Sequence, residues 1–259
     1  MLYRVNRFTE SPINPITGYK YDDSWSVFML TDRGEKQVCG SFNGCAYSIK
    51  TNRSICAEWA FSLCDFIDFN SRLGKNIIVV ATADELETAR KIYRGHGCDE
   101  RTLRSSEPAV LIHSTTPENW QRIKQCGALK SRNRLITEGC IVEEKPIGAL
   151  LGDPAEFSDY IMFGSGVTGE IVVSSRQHGF IDMDINAPYR PGARLYLDAA
   201  KIAADGFLLR DGTHLKVKNV LPLKPYLLFA ATAESVGICG ASTPAEFSQA
   251  ADKAFASIR

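Results

Sequence analysis

The sequence lacks several features that would indicate a function directly. Its 259 residues contain no G-x-x-x-x-G-K-[ST] string, so the usual nucleoside triphosphate loop is missing. Its eight cysteines include no C-x-x-C pair, and its four histidines do not complete the ligand spacing of a common zinc site. Neither sign of charge is in excess, because 30 basic residues balance 30 acidic ones. No overall attraction to nucleic acid or to anionic membranes is therefore expected.

Long hydrophobic runs are also missing, and no segment approaches the length of a membrane span. Arg4 and Arg7 lie where a secretion signal would need its apolar segment. Most of the cysteines fall in apolar segments, where a free cysteine behaves as a small hydrophobic residue. These absences predict a soluble, cytoplasmic protein with reduced cysteines and no membrane partner.

The first part of the chain has the pattern of an α/β domain. Apolar residues at positions 56, 59, 60, 63, 64 and 67 form one continuous helical stripe. Residues 76–81 predict a buried strand, and Thr82 with Glu85 predicts a capping box at the start of the next helix. Helix, strand and helix therefore follow one another here.

A polar stretch without pattern, residues 95–108, predicts a domain boundary. We assign residues 1–105 to an N-terminal α/β domain of unclear role and residues 106–235 to a second domain. Residues 236–259 are predicted to form a C-terminal helix, which begins where Thr243 precedes a proline and a glutamate.

The second domain is predicted to be rich in short strands. No regular alternation of strands and helices runs through it, so an α+β fold with mixed short-strand sheets and peripheral helices is expected. Asp198 can cap a single helical turn that ends at Gly206. The strand candidates are Glu170–Ser174, Gly179–Met183, Arg194–Leu197, Gly206–Leu209, Leu215–Val217 and Tyr226–Phe229.

One histidine lies at the junction of a strand and a helix. The apolar segment Ala109–Ile112 leads into His113, and Thr116 with Pro117 is typical of a helix start. Gly127 has the position of a left-handed helix end. Because helix N-termini offer free backbone N–H groups, this junction is a candidate for binding an anionic ligand.

Two blocks of the second domain carry a family resemblance. The block from Val110 to Leu129 resembles a strand with His-Gly-Thr-Ser, a tryptophan-bearing helix and Gly-Leu in the RNA 2'-phosphotransferase family. The block from Arg194 to Val217 resembles that family's closing strand, short helix, Asp-Gly and hairpin. The family is an NAD-using branch of the ADP-ribosyltransferase-like fold. The resemblance, over residues 110–230, implies that fold, NAD as cofactor and an RNA or DNA phosphate as substrate.

The resemblance also implies roles for individual residues. His113 would hold the nicotinamide-ribose end of NAD, within the motif that continues through Ser114 and Thr115. Arg134 and Arg194 match arginines that grip the RNA phosphate. Tyr160 would stack on nicotinamide, as a tyrosine does in other transferases of this fold. Breaking the nicotinamide–ribose bond requires a held ribose and charge that complements an oxocarbenium-like transition state, and such residues would suit it.

Two other interpretations compete with this one. Residues 1–125 weakly resemble toxin-type ADP-ribosyltransferases, with Arg4, Ser48 and Glu107 as the implied catalytic set. Alternatively, the fold is retained as a non-enzymatic binding or inhibitory module, with residues 137–168 as its recognition surface.

Each candidate also has a purely structural alternative. His113 can be a hydrogen-bonded histidine at a strand end, and Tyr160 can be a core aromatic. Glu170 is either a divergent catalytic acid or a solvated strand end, and Arg134 and Arg194 can be surface arginines.

Overall fold

The computed structural model describes residues 1–6, 11–42, 46–95, 100–141, 147 and 153–258. The chain divides into two compact units. Unit 1 comprises Met1–Asp99, Gly148–Phe157 and Leu209–Leu215. Unit 2 comprises Glu100–Ile147, Ser158–Leu208 and Lys216–Arg259. The C-terminal helix is therefore part of unit 2, and two short segments from the second half of the chain are counted with unit 1.

Unit 1 contains a five-stranded sheet in the order β1-β5-β2-β4-β3. Its first four strands in that order are parallel to their neighbours, and only β3 runs antiparallel, against β4. Strands of a parallel sheet are usually covered on both faces, which agrees with the unbroken apolar run Ile77–Val80 in β5. The strands are β1 (Leu2–Val5), β2 (Trp25–Thr31), β3 (Gln37–Phe42), β4 (Ala46–Asn52) and β5 (Asn76–Val80).

Two helices of unit 1 confirm the predicted patterns. Helix α1 (Trp59–Arg72) carries the apolar stripe and buries Ala60 and Leu63. Helix α2 (Ala83–Gly95) begins with the predicted capping box. The Thr82 N–H donates to Glu85 Oε2 at 2.7 Å, and the Glu85 N–H donates to Thr82 Oγ1 at 3.2 Å. This reciprocal pair satisfies two N–H groups that the helix start would leave free.

Unit 2 is built on a three-stranded antiparallel sheet in the order β13-β9-β6. Its central strand β9 is buried on both faces, with Leu195 and Leu197 completely buried on one face and Arg194 on the other. Shorter strands pair as β7 with β12 and as β8 with β11, both antiparallel. The strands are β6 (Val110–Thr115), β7 (Ala128–Lys130), β8 (Tyr160–Met162), β9 (Ala193–Asp198), β11 (Leu215–Lys218), β12 (Val220–Pro222) and β13 (Leu227–Thr232). Strand β10 (Leu208–Arg210) lies mostly in the segment Leu209–Leu215, which is counted with unit 1.

Three helices of unit 2, namely α3, α6 and α7, begin at residues that the sequence predicts as helix starts. Thr116 caps the helix after β6, and Gly127 ends it in the left-handed region at φ 67°. Asp198 caps the predicted short helix, and Thr243 forms a capping box with Glu246. The helices are α3 (Pro117–Cys126), α4 (Arg132–Thr137), α5 (Thr168–His178), α6 (Ala199–Ala204) and α7 (Pro244–Ala256).

Two predicted strands of unit 2 are wrong. Glu170–Ser174 lies inside α5, and Gly179–Met183 follows that helix without forming a strand. The β-branched run favours a strand locally. However, the buried positions Glu170, Ile171, Ser174 and Ser175 repeat with the helical period, and α5 packs on β6 and α7. Tertiary packing therefore overrides the local preference.

The mixed α+β class is confirmed by this set of helices and short sheets. In the part of the chain that the structure describes, no helix combines the length and the apolar character needed to cross a membrane.

Candidate functional site

His113 lies near the end of β6, beside the segment that follows β8. Its Nδ1 is 3.0 Å from the carbonyl oxygen of Met162. Since a carbonyl only accepts, Nδ1 carries a proton in this contact, and in the neutral ring Nε2 is then an acceptor. The ring meets Phe163 edge-on, with centroids 6.4 Å apart. The residue is half-buried, and the contact with Met162 holds the tautomer.

The electrostatic surroundings keep His113 neutral. Burial lowers the pKa of His113 below its ordinary value of 6.5, and the charge of Arg176 lowers it further, whereas the hydrogen bond to Met162 opposes the shift. Arg176 lies on α5 and is exposed. Neutral His113 can accept a hydrogen bond from a ligand hydroxyl, and the nearby charge of Arg176 favours an anionic ligand over a cationic one.

A buried polar network lies directly behind β6. Ser114 Oγ donates to Glu170 Oε1 at 2.5 Å, and the Tyr189 hydroxyl donates to Glu170 Oε2 at 2.6 Å. Arg194 Nη1 is 3.5 Å from Glu170 Oε1, and both side chains are shielded from solvent. Glu170 is therefore neither a solvated strand end nor a reachable acid. It fixes the orientation of Ser114.

Arg194 is held from several sides within the same network. Its Nη2 donates to the Gly166 carbonyl at 2.8 Å, and its Nε lies 3.1 Å from both Asp252 Oδ1 and the Tyr196 hydroxyl. Burial alone would lower the pKa of Arg194, but Asp252, Tyr196 and Glu170 raise it. With no exposed surface, the guanidinium supports the site from behind and does not reach a phosphate in this arrangement.

The two acids around Arg194 differ in their exposure to solvent. Glu170 is buried, and burial raises its pKa, although the hydrogen bonds from Ser114 and Tyr189 and the charge of Arg194 oppose the shift. Asp252 is about half exposed, with 49% of its side chain accessible, so solvent screens its pairing with Arg194. The Glu170–Arg194 pair is thus the part of the network that depends most on protein contacts.

The loop after β8 has the spacing of a dinucleotide-binding loop. Gly164, Gly166 and Gly169 form G-x-G-x-x-G immediately before the body of α5. Such a loop binds a pyrophosphate when it joins a parallel strand to a helix, but β8 is antiparallel to β11. Two of these glycines instead pack closely against β6. The Gly164 N–H donates to Ile112 O at 2.9 Å, and a Cβ on Gly169 would come within 2.5 Å of Ser114 Oγ.

The junction between β6 and α3 is covered by backbone. A Cβ on Gly192 would lie 2.1 Å from the Thr115 carbonyl oxygen and 2.3 Å from the carbonyl carbon of Thr116. Thr115 itself is buried. The N-terminus of α3 is therefore packed against the segment before β9.

Tyr160 and Arg134 are engaged elsewhere in unit 2. Tyr160 is 7% exposed, and Lys216 Nζ lies 5.0 Å from the centroid of its ring. Arg134 lies on α4, where its Nε donates to Glu138 Oε1 at 2.6 Å. Of the residues predicted from the resemblance, the structure brings Ser114 and Arg194 to one network through Glu170, whereas His113 precedes Ser114 on β6 and contacts Met162 instead. Tyr160 lies on the strand whose Met162 carbonyl holds His113.

Two residues of the alternative set, Arg4 and Ser48, lie on separated strands of unit 1. Arg4 lies on β1 and Ser48 on β4, and two strands separate β1 from β4 in the sheet. Neighbouring strands are about 4.8 Å apart, so these two strands are roughly 14 Å apart. Glu107 belongs to unit 2, where its Oε2 accepts from the Arg104 N–H at 2.9 Å.

Arg4 instead lines a basic cleft in unit 1. The cleft has a volume of about 600 Å³ and is bounded on one side by a single face of α2. Arg4 is anchored there, because its Nη1 donates to the Ala81 carbonyl at 3.2 Å. Four cations and one acid line the cleft, so its field is positive. The lining residues are Arg4, Ala83, Leu86, Glu87, Arg90, Lys91 and Arg94.

Within residues 1–6, 11–42, 46–95, 100–141, 147 and 153–258, no group of three or more His, Cys, Asp or Glu side chains is arranged to hold a metal ion. Sequence reasoning missed Phe163 and Arg176 as neighbours of His113 and Glu170 as the partner of Ser114. The glycines at positions 164, 166 and 169 could have indicated these contacts, since closely spaced glycines are typical of segments whose backbone packs tightly against its neighbours.

No family model, curated protein or solved structure matches this chain.

Proposed function

We propose that unit 2 is an NAD-using enzyme that transfers ADP-ribose to a nucleic-acid phosphate or another acceptor. The observation that carries the proposal is the state of His113, which is neutral, fixed at Nδ1 by Met162 and partly open to solvent. The family resemblance of residues 110–230 supplies the cofactor and the reaction type.

The residues around His113 fit the nicotinamide-ribose end of NAD. His113 Nε2 can accept a hydrogen bond from a ribose hydroxyl, and Phe163 offers an aromatic ring next to it. Arg176 adds positive charge for the pyrophosphate, since its charge is felt at His113. The Ser114 hydroxyl is committed to Glu170, so we assign Ser114 and Thr115 a role in fixing the strand that carries His113.

Bound NAD would supply the ADP-ribosyl group, with nicotinamide as the leaving group. The residues of the chain would act mainly by position and charge, because loss of nicotinamide needs little proton transfer. His113 would hold the ribose, and the Glu170–Arg194 network would keep β6 and α5 in register. Arrangements that are fixed before the reaction lose no free energy to reorganisation during it.

Substitution of His113 by alanine tests the proposal. We expect nicotinamide release from NAD to fall by about 100-fold in His113→Ala, because a misplaced substrate commonly costs that much. Chromatographic quantification of nicotinamide, with an RNA 2'-phosphate oligonucleotide as acceptor, measures it. Since the pKa of His113 is below 6.5, the wild-type rate should stay level as the pH falls to that value.

His178→Ala is the matched control. His178 lies in the same unit, with its ring nitrogens 2.9 Å from Asp182 Oδ2 and 3.1 Å from the Pro188 carbonyl, and its loss should leave the rate unchanged. Wild-type activity in His113→Ala would refute the role of His113. Loss of activity in Glu107→Gln alone would favour the toxin-type set.

A non-enzymatic binding or inhibitory module remains the other candidate. Its proposed recognition surface, residues 137–168, lies partly outside the described residues, which omit 142–146 and 148–152. Calorimetry with wild-type protein separates the two candidates, because the enzyme must bind NAD. Absence of both binding and nicotinamide release would support the module.

The basic cleft of unit 1 favours a phosphate-bearing partner, in agreement with the proposed nucleic-acid acceptor. Arg90 and Arg94 lie one turn apart on the face of α2 that lines it. In Arg90→Gln/Arg94→Gln we expect weaker RNA binding and a salt dependence with a slope reduced by about 1.4, from roughly 0.7 per phosphate contact. Fluorescence polarisation of a labelled oligonucleotide at several salt concentrations measures both.

The control for this experiment is Lys20→Gln/Lys50→Gln, which removes two exposed cations of unit 1 that do not line the cleft. It changes the net charge by the same amount. Equal effects of the two double variants would mean that RNA responds only to total charge, and the cleft would lose its assigned role.

A further inference from the structure

Unit 1 contains a cysteine, a histidine and an aspartate that contact one another in succession. Cys39 lies on the outermost strand β3 and is exposed. Its Sγ is 3.8 Å from His214 Nε2, and His214 Nδ1 is 3.2 Å from Asp211 Oδ2. Catalytic triads have the same order of nucleophile, base and a group that orients the base. In them, one imidazole nitrogen faces the nucleophile and the other faces the aspartate.

The turn that carries Asp211 and His214 is held rigidly. Asp211 is fully buried, and its Oδ1 accepts from the N–H groups of Thr213 and His214 at 2.9 and 2.7 Å. Gly212 has a φ of +95°, and a Cβ there would lie 2.4 Å from the Ser62 carbonyl oxygen. The Gly212 carbonyl in turn accepts from Gln37 Nε2 at 3.0 Å. The imidazole is therefore positioned by packing against α1 and β3.

The charges around His214 favour its protonated form. Burial lowers the pKa of His214, but hydrogen bonds to Asp211 and Cys39 outweigh it and raise the pKa to about 10. The titratable groups that face this cluster are Asp211 on the same turn, Cys39 on β3, Tyr47 on β4 and Asp153. Phe157 meets His214 edge-on, with its ring centroid 5.8 Å from that of His214.

We propose that Cys39 is a nucleophile for acyl transfer, with His214 as its proton partner and Asp211 as the residue that positions His214. The substrate class is a carboxylic ester or thioester, because such leaving groups depart with help from one proton donor. This site lies in unit 1 and does not depend on the function proposed for unit 2.

The proposed reaction needs only water as its second substrate. The Cys39 thiolate attacks the acyl carbon, the new C–S bond forms, and the bond to the leaving group breaks. His214 Nε2 gives its proton to the leaving group. Water then attacks the acyl-cysteine, His214 takes a proton from that water, and the C–S bond breaks to restore the thiolate and release the carboxylic acid.

Alkylation rates within one protein test the nucleophile without any substitution. Under limiting iodoacetamide at pH 6–7, we expect Cys39 to react at least about tenfold faster than Cys140 and Cys239, because thiolates and not thiols react. Both reference residues are also free and exposed. Peptide mass spectrometry reads all three in the same sample. Equal rates would overturn the proposal.

Acylation tests the reaction itself. With p-nitrophenyl acetate, wild-type protein should release p-nitrophenol in a burst and carry an acetyl group on Cys39. Cys39→Ser should abolish the burst, whereas Cys239→Ser should keep it. Fast alkylation without an acetyl group on Cys39 would overturn the acyl-transfer assignment.

The positioning role of Asp211 has its own readout. Asp211→Asn removes the charge that raises the pKa of His214, so the pH profile of Cys39 alkylation should move. A purely structural aspartate would lower the melting temperature and leave that profile in place, and this result would overturn the assigned role. Circular dichroism of the variant identifies any loss of fold.

Discussion

Arg194→Met is expected to lower the free energy of unfolding of unit 2 by about 3–5 kcal/mol, because it leaves Glu170 as a buried charge without its cation. Both side chains of this pair are within 1% of complete burial, so water cannot replace the lost partner. Methionine keeps much of the volume, and the loss therefore reports on charge and hydrogen bonding more than on a cavity. Hydrogen exchange of the β6 and β9 amides at increasing urea concentrations measures unit 2 separately from unit 1.

The loss should depend on pH in a defined direction. Burial raises the pKa of Glu170 above its ordinary value of 4.5, against the lowering effect of Arg194. A carboxyl group whose pKa is raised on folding stabilises the protein at pH values below its unfolded-state pKa. This stability is lost as the pH rises through its folded-state pKa. Without Arg194 the folded pKa rises further. The variant should therefore be closest to wild type near pH 4 and furthest from it at neutral pH.

Arg190→Met provides the matched control. Arg190 lies in the same unit and pairs with Glu118 at 3.4 Å, but 71% and 62% of the two side chains are exposed. An exposed pair contributes less than about 1 kcal/mol. The double variant Arg194→Met/Glu170→Gln should regain part of the stability by removing the orphaned charge. Equal losses in Arg194→Met and Arg190→Met would refute the structural role given to the buried pair.

The sequence predicts the local features of this chain well, since each depends on residues only a few positions apart. The Thr82 capping box, the Thr116 cap and the Gly127 helix end are confirmed at the predicted residues. Their chemistry is complete within one helical turn, so no knowledge of the rest of the fold is needed. The burial of Leu63 by the stripe on α1 follows from helical periodicity in the same way.

The network behind β6 could not be predicted in that way. Arg194 meets Glu170, 24 positions away, and Asp252, 58 positions away. The sequence shows only an arginine at the start of a strand, which is usually exposed. Full burial of Arg194 depends on α5 and α7 both packing in this region. The misassigned strand at Glu170–Ser174 hid the contact, because a strand would have alternated those side chains between two faces.

The Cys39 cluster shows the same limitation over a longer distance. Cys39 and His214 are 175 positions apart, and residues 209–215 are counted with unit 1 although the chain on both sides belongs to unit 2. Each residue taken alone is an ordinary strand or turn residue. The two residues come together because residues 209–215 pack with unit 1, and no periodic pattern or helix cap in the sequence predicts such a long-range contact.

Gly192→Ala is expected to destabilise unit 2 by about 3 kcal/mol through a collision with backbone. The added Cβ would lie 2.1 Å from the Thr115 oxygen, 2.3 Å from the Thr116 carbonyl carbon and 2.6 Å from the Pro117 nitrogen. None of these atoms can move by a change of rotamer, so either β6 and α3 or the segment before β9 must shift. Hydrogen exchange of the β6 amides measures the loss, and nicotinamide release should fall with it if His113 is displaced.

Gly169→Ala separates this effect from the general cost of replacing a glycine. There the Cβ would lie 2.5 Å from Ser114 Oγ, which can rotate away at the expense of its bond to Glu170, and 3.0 Å from Ser114 Cβ, which must shift slightly. Breaking one such bond costs about 1–3 kcal/mol, whereas alanine inside a helix regains up to about 1 kcal/mol over glycine. The loss should thus be clearly smaller than in Gly192→Ala. If Gly192→Ala proved as stable as wild type, the close packing over the β6–α3 junction would be refuted, and the N-terminus of α3 would again be open to an anionic ligand.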